Sequence, residues 1–185
     1  MSKRIAVVGS SGGNLYSIGG KEPYKLLEEI RQQAEAADIE VADVVFVAAK
    51  QSMDSAGGRT QAELISWDAE AGEPAGRGQD LLPEINKQAA AADQELAGAI
   101  ERGEIHGLVL VSADPKGTNA ASVAAAADKN LPVAGTGGSS MAYTKALGAN
   151  VIATSGTTGT TNRTRAVAAI SAFSRLWGLK YRPVI

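Results

Sequence analysis

The chain has 185 residues, 44% of them apolar but only 4% aromatic, and a formal net charge of -2. That length fits one domain with an aliphatic core, and slight acidity with no basic block argues against nucleic acid as the main ligand. With no cysteine and a single histidine, disulfides, thiolate nucleophiles and Cys- or His-rich metal sites are excluded.

No stretch reaches the roughly 20 continuous apolar residues of a membrane span. The opening "MSKRIAVVGSSGG" has too short an apolar run for a signal peptide, so the chain reads as cytosolic.

Ile5 to Val8 is a short buried-strand run, closed by "GSSGGN". Pro23 suits a first helical turn, and Leu27, Ile30, Ala34 and Ala37 follow at helical spacing. Ile39 to Ala49 predicts a second strand. A short helix is expected near Thr60 to Trp67, then a variable Gly/Pro/Ala loop over about 69–80. A long helix over Leu81 to Arg102 shows the stripe Leu82, Ile85, Ala89, Ala92, Leu96 and Ala99, and Gly103 ends it.

"GLVLVS" (107–112) is the clearest strand, followed by "ADPKGTN" and an Ala-rich helix to Lys129. "LPVAG" is a fourth strand, a brief helix runs through Ala146, and "NVIATS" is a fifth. The last helix carries Val167, Ile170, Phe173 and Trp177 on one face. The end, "WGLKYRPVI", reads either as a last strand or as the point where a longer polypeptide was cut. Strands alternating with helices imply right-handed crossovers and a mostly parallel sheet of five or six strands, covered on both faces. The expected fold is a doubly wound α/β three-layer sandwich of flavodoxin-like or Rossmann-like type, in a single domain over 1–185.

In such sheets ligands bind beyond the carboxyl ends of the strands. The segments following strands here are rich in Gly, Ser and Thr, whereas those preceding strands ("AADIE", "RGEIH", "DKN", "LGA") are plainer. Glycine lets amides approach a ligand closely, hydroxyls add donors, and each helix end adds positive potential. A helix N-terminus is worth about 0.3–1 kcal/mol to an anion, up to ~2 when partly buried. Each hydrogen bond to a charged group adds roughly 1.5–3 kcal/mol. Two loops plus Arg163 could thus reach the ~8 kcal/mol of a micromolar complex.

The expected cradle is Ser155, Gly156, Thr157, Thr158, Thr160, Thr161 and Arg163. Gly9, Ser10, Ser11, Gly12 and Asn14 form one further wall, and Gly135, Thr136, Gly137, Gly138, Ser139 and Ser140 another. The blander reading of each loop is helix capping and chain turning. The ligand class is a small phosphorylated or carboxylated metabolite, a sugar phosphate first of all. "GSSGGN" fits neither the P-loop nor the dinucleotide fingerprint, so no cofactor is expected.

His106 lies before the third strand, away from these loops, and reads as a surface or packing residue. Asp114 and Lys116 are the candidate acid–base pair should the protein be an isomerase or lyase; the competing reading is an Asp-Pro turn with Thr118 or Asn119 capping the next helix. Arg163 and Arg165 flank the start of the last helix, where cations oppose the dipole unless an anion is present. A homo-oligomer is expected from the flat Ala-rich face of the Leu81–Arg102 helix, although core packing accounts for that face equally well.

"SGTTGTT" resembles the S-G-x-T-x-[DE]-T phosphate loop of sugar isomerase (SIS) domains: Ser155, Gly156, Thr158 and Thr161 match, and Thr160 replaces the acid. "GTGGSS" is similar to that family's G-x-G-x-S loop at Gly135, Gly137 and Ser139, which implies shared phosphate chemistry. A longer resemblance runs through "KRIAVVGSSGGNLY", "PVAGTGGSSMA" and "NVIATSGTTGTTNRTRAV…LKYRPVI". These look like the soluble N-terminal region of bacterial proteins labelled sugar-specific permeases of the ascorbate phosphotransferase type. Phosphotransfer domains of that system use Cys or His, so the resemblance implies a ligand-sensing or regulatory part of a sugar transporter, with membrane helices beyond Ile185.

Overall fold

The computed structural model describes residues 2–9, 22–42, 52–53, 60–61, 78–111, 119–136, 138–155 and 161–185. The elements in chain order are β1 (Lys3–Gly9), α1 (Glu22–Glu35), β2 (Ile39–Val41), β3 (Ser52–Met53), β4 (Thr60–Gln61) and α2 (Gly78–Glu101). Then come β5 (Gly107–Val111), α3 (Ala120–Asp128), β6 (Pro132–Thr136), α4 (Gly138–Ala146), β7 (Asn150–Ser155) and α5 (Asn162–Trp177). Five strands form one all-parallel sheet in the order β2-β1-β5-β6-β7, the doubly wound order of flavodoxin-like folds.

Strand alternation sorts the core into two layers. Ile5, Val7, Val109, Val111 and Ala134 face α1 and α5, meeting Ile30, Ala166, Ile170 and Phe173. Ala6, Val8, Leu108, Leu110 and Val133 face the other side, meeting Leu96 and Ile100 of α2, Val123 of α3 and Met141 of α4. Burial of each large aliphatic side chain contributes roughly 1.5–3 kcal/mol, and β5, at the sheet's centre, is buried along its whole length.

Both faces need close approach. A Cβ on Gly107 would overlap Cε1 of Phe173, and one on Gly135 would overlap Sδ of Met141 and lie 3.1 Å from the Leu110 carbonyl oxygen. Each helix ends in a residue of positive φ (Asp38, Gly103, Asn130, Gly148 and Gly178 in turn), which stops the helix and turns the chain. The αβ turns are therefore short, at 36–38, 102–106, 129–131 and 147–149.

Several elements depart from expectation. Thr60 and Gln61 do not start a helix but pair antiparallel with Met53 and Ser52, as suits a β-branched residue; 62–67 lie outside the described residues. The second strand is Ile39–Val41, extended by the Ala42 amide donating to the Ile5 carbonyl at 2.8 Å, and 43–49 are not described. Helix α2 begins at Gly78, so the expected loop over 69–80 ends earlier. Over 90–101 its buried residues are Asp93, Leu96, Ala97 and Ile100, with Ala92 and Ala99 half-buried, while the side chains of Leu82, Ile85 and Ala89 lie outside the described residues.

No sixth strand forms at the C-terminus. Residues 179–185 have no regular secondary structure and are fastened to α1 by the fully buried Gln33. The Gln33 side-chain amide donates to the Val184 carbonyl (2.9 Å), and its oxygen accepts from the Val184 amide (3.0 Å) and the Tyr181 hydroxyl (2.6 Å). No helix among the described residues is long and apolar enough to cross a membrane.

Candidate functional site

Parallel register brings four strand ends level. Gly9 pairs with Val111, Val111 with Thr136, and Thr136 with Ser155, so one row of residues crosses the carboxyl edge of the sheet. In the chain that row is followed by the connections 10–21, 112–119, 137 and 156–161, while the short turns 36–38, 102–106, 129–131 and 147–149 lie at the opposite edge. The strand order reverses between β1 and β5. That is the switch point where open α/β sheets leave a crevice, and the connections bearing "GSSGGN" and "ADPKGTN" leave from its two strands.

Of the expected ligand residues, Gly9, Thr136 and Ser155 belong to this row. Gly138, Ser139 and Ser140 are the first turn of α4, which starts one residue after Thr136 leaves the ladder. Ser10, Ser11, Gly12, Asn14, Asp114, Lys116, Gly137, Gly156, Thr157, Thr158 and Thr160 lie outside the described residues.

Three candidates are described in full, and each has a partner inside the fold. Gly135 sits within the ladder between Leu110 and Thr154, and its missing side chain makes room for Met141. Thr161 is the N-cap of α5: its Oγ1 accepts the Thr164 amide at 3.2 Å and shares a hydrogen bond with the Thr164 hydroxyl at 2.9 Å. Arg163 faces Glu29 of α1 in a two-pronged pair, Nε to Oε2 at 3.2 Å and Nη2 to Oε1 at 3.3 Å. Glu29 thus supplies one anion to the start of α5 and gives the cation there a partner within the fold. Arg165 has no ion pair among the described residues, and its buried Nε has no hydrogen-bond partner.

The N-terminus of α3 is capped in an unexpected way. Asn119 occupies the N-cap position, but its side chain makes no capping bond. Instead the buried carboxylate of Asp93, from α2, accepts the Ala121 amide at 2.7 Å, the Ser122 amide at 3.1 Å and the Ser122 hydroxyl. An internal anion therefore already satisfies this helix end. The signal was available in the sequence: an acid at 93, in phase with Leu96, Ala97 and Ile100, is an acid on an apolar face.

His106 is at the opposite edge. Its amide donates to the Arg4 carbonyl at 2.7 Å and its Nδ1 accepts the Arg4 amide at 3.0 Å, which extends the β1–β5 ladder by one step. This is the packing role its position suggested. Among the described residues no group of His, Asp and Glu could hold a metal ion. No protein-family model matches the chain, and no curated protein matches it.

Proposed function

We propose that the protein binds a small anionic metabolite, a sugar phosphate in the first instance, at the carboxyl edge of the sheet. The observation that carries this reading is the level row Gly9–Val111–Thr136–Ser155. It makes the Gly/Ser/Thr-rich connections leave the sheet at one height and on one edge, so their amides and hydroxyls can converge on one oxyanion. Two further features support it: α4 and α5 have no acid in their first turns, and Arg163 stands at the start of α5.

Thermal unfolding with inorganic phosphate, hexose phosphates, the matching free hexoses and nucleotides tests it. A ligand present at a hundred times its Kd stabilises by about 2.7 kcal/mol, which raises Tm by roughly 5–10 °C in a domain of this size. The expected result is a rise with phosphorylated sugars and none with free sugars; no rise with any phosphate would refute the proposal. Asp114→Asn then asks whether chemistry follows, since an isomerase or lyase would lose turnover and keep binding.

A further inference from the structure

Charge is divided along this chain. Residues 129–185 contain seven Lys and Arg and no Asp or Glu, which leaves eleven bases against all twenty acids in residues 1–128. Three bases of the first part have partners: Arg4 with Glu40 at 3.0 Å, Arg102 with Glu104 at 2.6 Å, and Lys3 over the Trp177 ring at 5.6 Å. In the second part, among the described residues, Arg163 alone has an acid, Glu29. Lys129, Lys145, Arg165, Arg175, Lys180 and Arg182 form no ion pair among the described residues.

The exposed apolar residues fall in the same segment. Apart from the terminal Ile185, the large hydrophobic side chains exposed among the described residues are Leu147, at 45%, and Leu176, at 52%. Leu147 lies in the turn from α4 into β7. Leu176 lies near the end of α5, which packs on β7 from the other face of the sheet. Because α5 runs back along β7, its last turn returns to the amino end of that strand. The two leucines therefore flank the amino end of β7 from opposite faces, with Lys145 and Arg175 beside them.

Between them β7 is a sheet edge. Among the described residues it pairs with β6 alone; it carries no charged residue and has Val151, Ile152 and Ala153 half-buried. A bulge at Ile152 interrupts the ladder, since Val133 pairs with Val151 but Ala134 with Ala153. The bulge limits the open edge to short runs on either side of Ile152. The other edge strand, β2, carries Glu40 and lies beside Glu35 and Asp38, the charge protection usual at an edge.

We propose that the amino end of the β7 edge, with Leu147, Leu176, Lys145 and Arg175, docks an acidic extended segment of another protein. Charge complementarity selects that occupant. A second copy joined edge to edge through β7 would bring two acid-free cationic segments together, which like-charge repulsion opposes. Unpaired backbone groups and two leucines match a polypeptide strand better than a nucleic acid, which would call for stacking aromatics. The surface lies at the end of β7 opposite the Gly/Ser/Thr row and does not depend on the anion-binding proposal.

The test is binding of a labelled synthetic peptide alternating Glu and Val, by fluorescence anisotropy, with amide exchange to locate it. The same peptide with Lys for Glu, a single-stranded oligonucleotide and phosphatidylserine vesicles are the comparisons. The expected result is binding of the Glu peptide that weakens with salt, slows exchange over 150–155, and falls at least tenfold in the Lys145→Glu/Arg175→Glu double variant and in Leu176→Ser. Four results would overturn the proposal: no binding, protection of another strand, tighter binding of oligonucleotide or vesicles, or β7 protection that grows with the concentration of the protein alone. Circular dichroism of the variants, all at exposed positions, checks that each is folded.

Discussion

Asp93 on α2 accepts both the amide and the hydroxyl proton of Ser122 on α3, so a side chain from one helix caps its neighbour. With Ala121 bonded to the second carboxylate oxygen, the contact joins α2 to the start of α3, where the chain arrives from β5. Asp93→Ala leaves the Ala121 and Ser122 amides without this acceptor and the Ser122 hydroxyl with its 3.4 Å bond to the Asn119 carbonyl. Charge-assisted bonds of this kind suggest a loss of about 2–4 kcal/mol. Asp93→Asn, which keeps one acceptor oxygen, is expected to lose less. Urea denaturation checks both, with the midpoint falling and the slope m unchanged if the unfolded state is unaffected.

Gly107 and Gly98 predict opposite signs for the same change. An alanine at 107 would push its methyl into the Phe173 ring, whose Cζ lies 3.1 Å from the ideal Cβ and which stacks on Trp177 at 4.9 Å. Phe173 is fully buried, so the ring cannot yield cheaply. Gly107→Ala is expected to cost about 1–3 kcal/mol, the usual range for overpacking. At 98 the nearest atom is Nη1 of the exposed, flexible Arg102, at 3.1 Å. Gly98→Ala, in the last turn of α2, is expected to stabilise by up to about 0.5–1 kcal/mol. Thermal melts of the two variants should move in opposite directions.

Burial raises the Tyr181 phenol above its ordinary value. A folded pKa above the unfolded one means that the fold favours the neutral phenol. Its contribution is whole below about pH 10 and is lost as pH rises through the raised value. The tail is therefore expected to loosen from Gln33 only in strong alkali. Phenolate absorbance should show one tyrosine titrating late, and Tyr181→Phe should abolish that step. The same variant loses the 2.6 Å bond to Gln33 and should cost about 1 kcal/mol.

What could be read from residue order was whatever local periodicity and turn chemistry encode. The apolar runs at 5–8 and 107–111, "NVIATS" and Gly103 marked β1, β5, β7 and the end of α2, and their alternation gave the parallel sheet. Alanine blurred the rest. With alanine at 89, 91, 92, 97 and 99, the buried stripe of α2 could be drawn on more than one phase, and the structure uses the one that includes Asp93. The candidate site was legible as an edge, not as a set of ligands. Thr161 and Gly135 have roles in the fold as well, because caps and close helix approaches use the same small and hydroxylated residues as anion contacts. Glu29 had no local signal, since its partner Arg163 lies 134 residues away.

That pair offers the sharpest test of where the anion would sit. If Arg163 contacts a bound phosphate, Glu29 competes for the same guanidinium, and a ligand must share or displace it. Glu29→Gln removes the competing charge and keeps the shape. The expected result is tighter binding of inorganic phosphate, by about the 0.2–1 kcal/mol of an exposed ion pair, with a stability loss no larger than that. Arg163→Gln should weaken binding by about 1.5–3 kcal/mol, the worth of a charge-assisted hydrogen bond. Both are measured by calorimetry at low and high salt, because screening should shrink the gain from Glu29→Gln. Phosphate affinity unchanged in both variants would place the anion away from α5 and leave the Arg163–Glu29 pair a purely structural tie between α5 and α1.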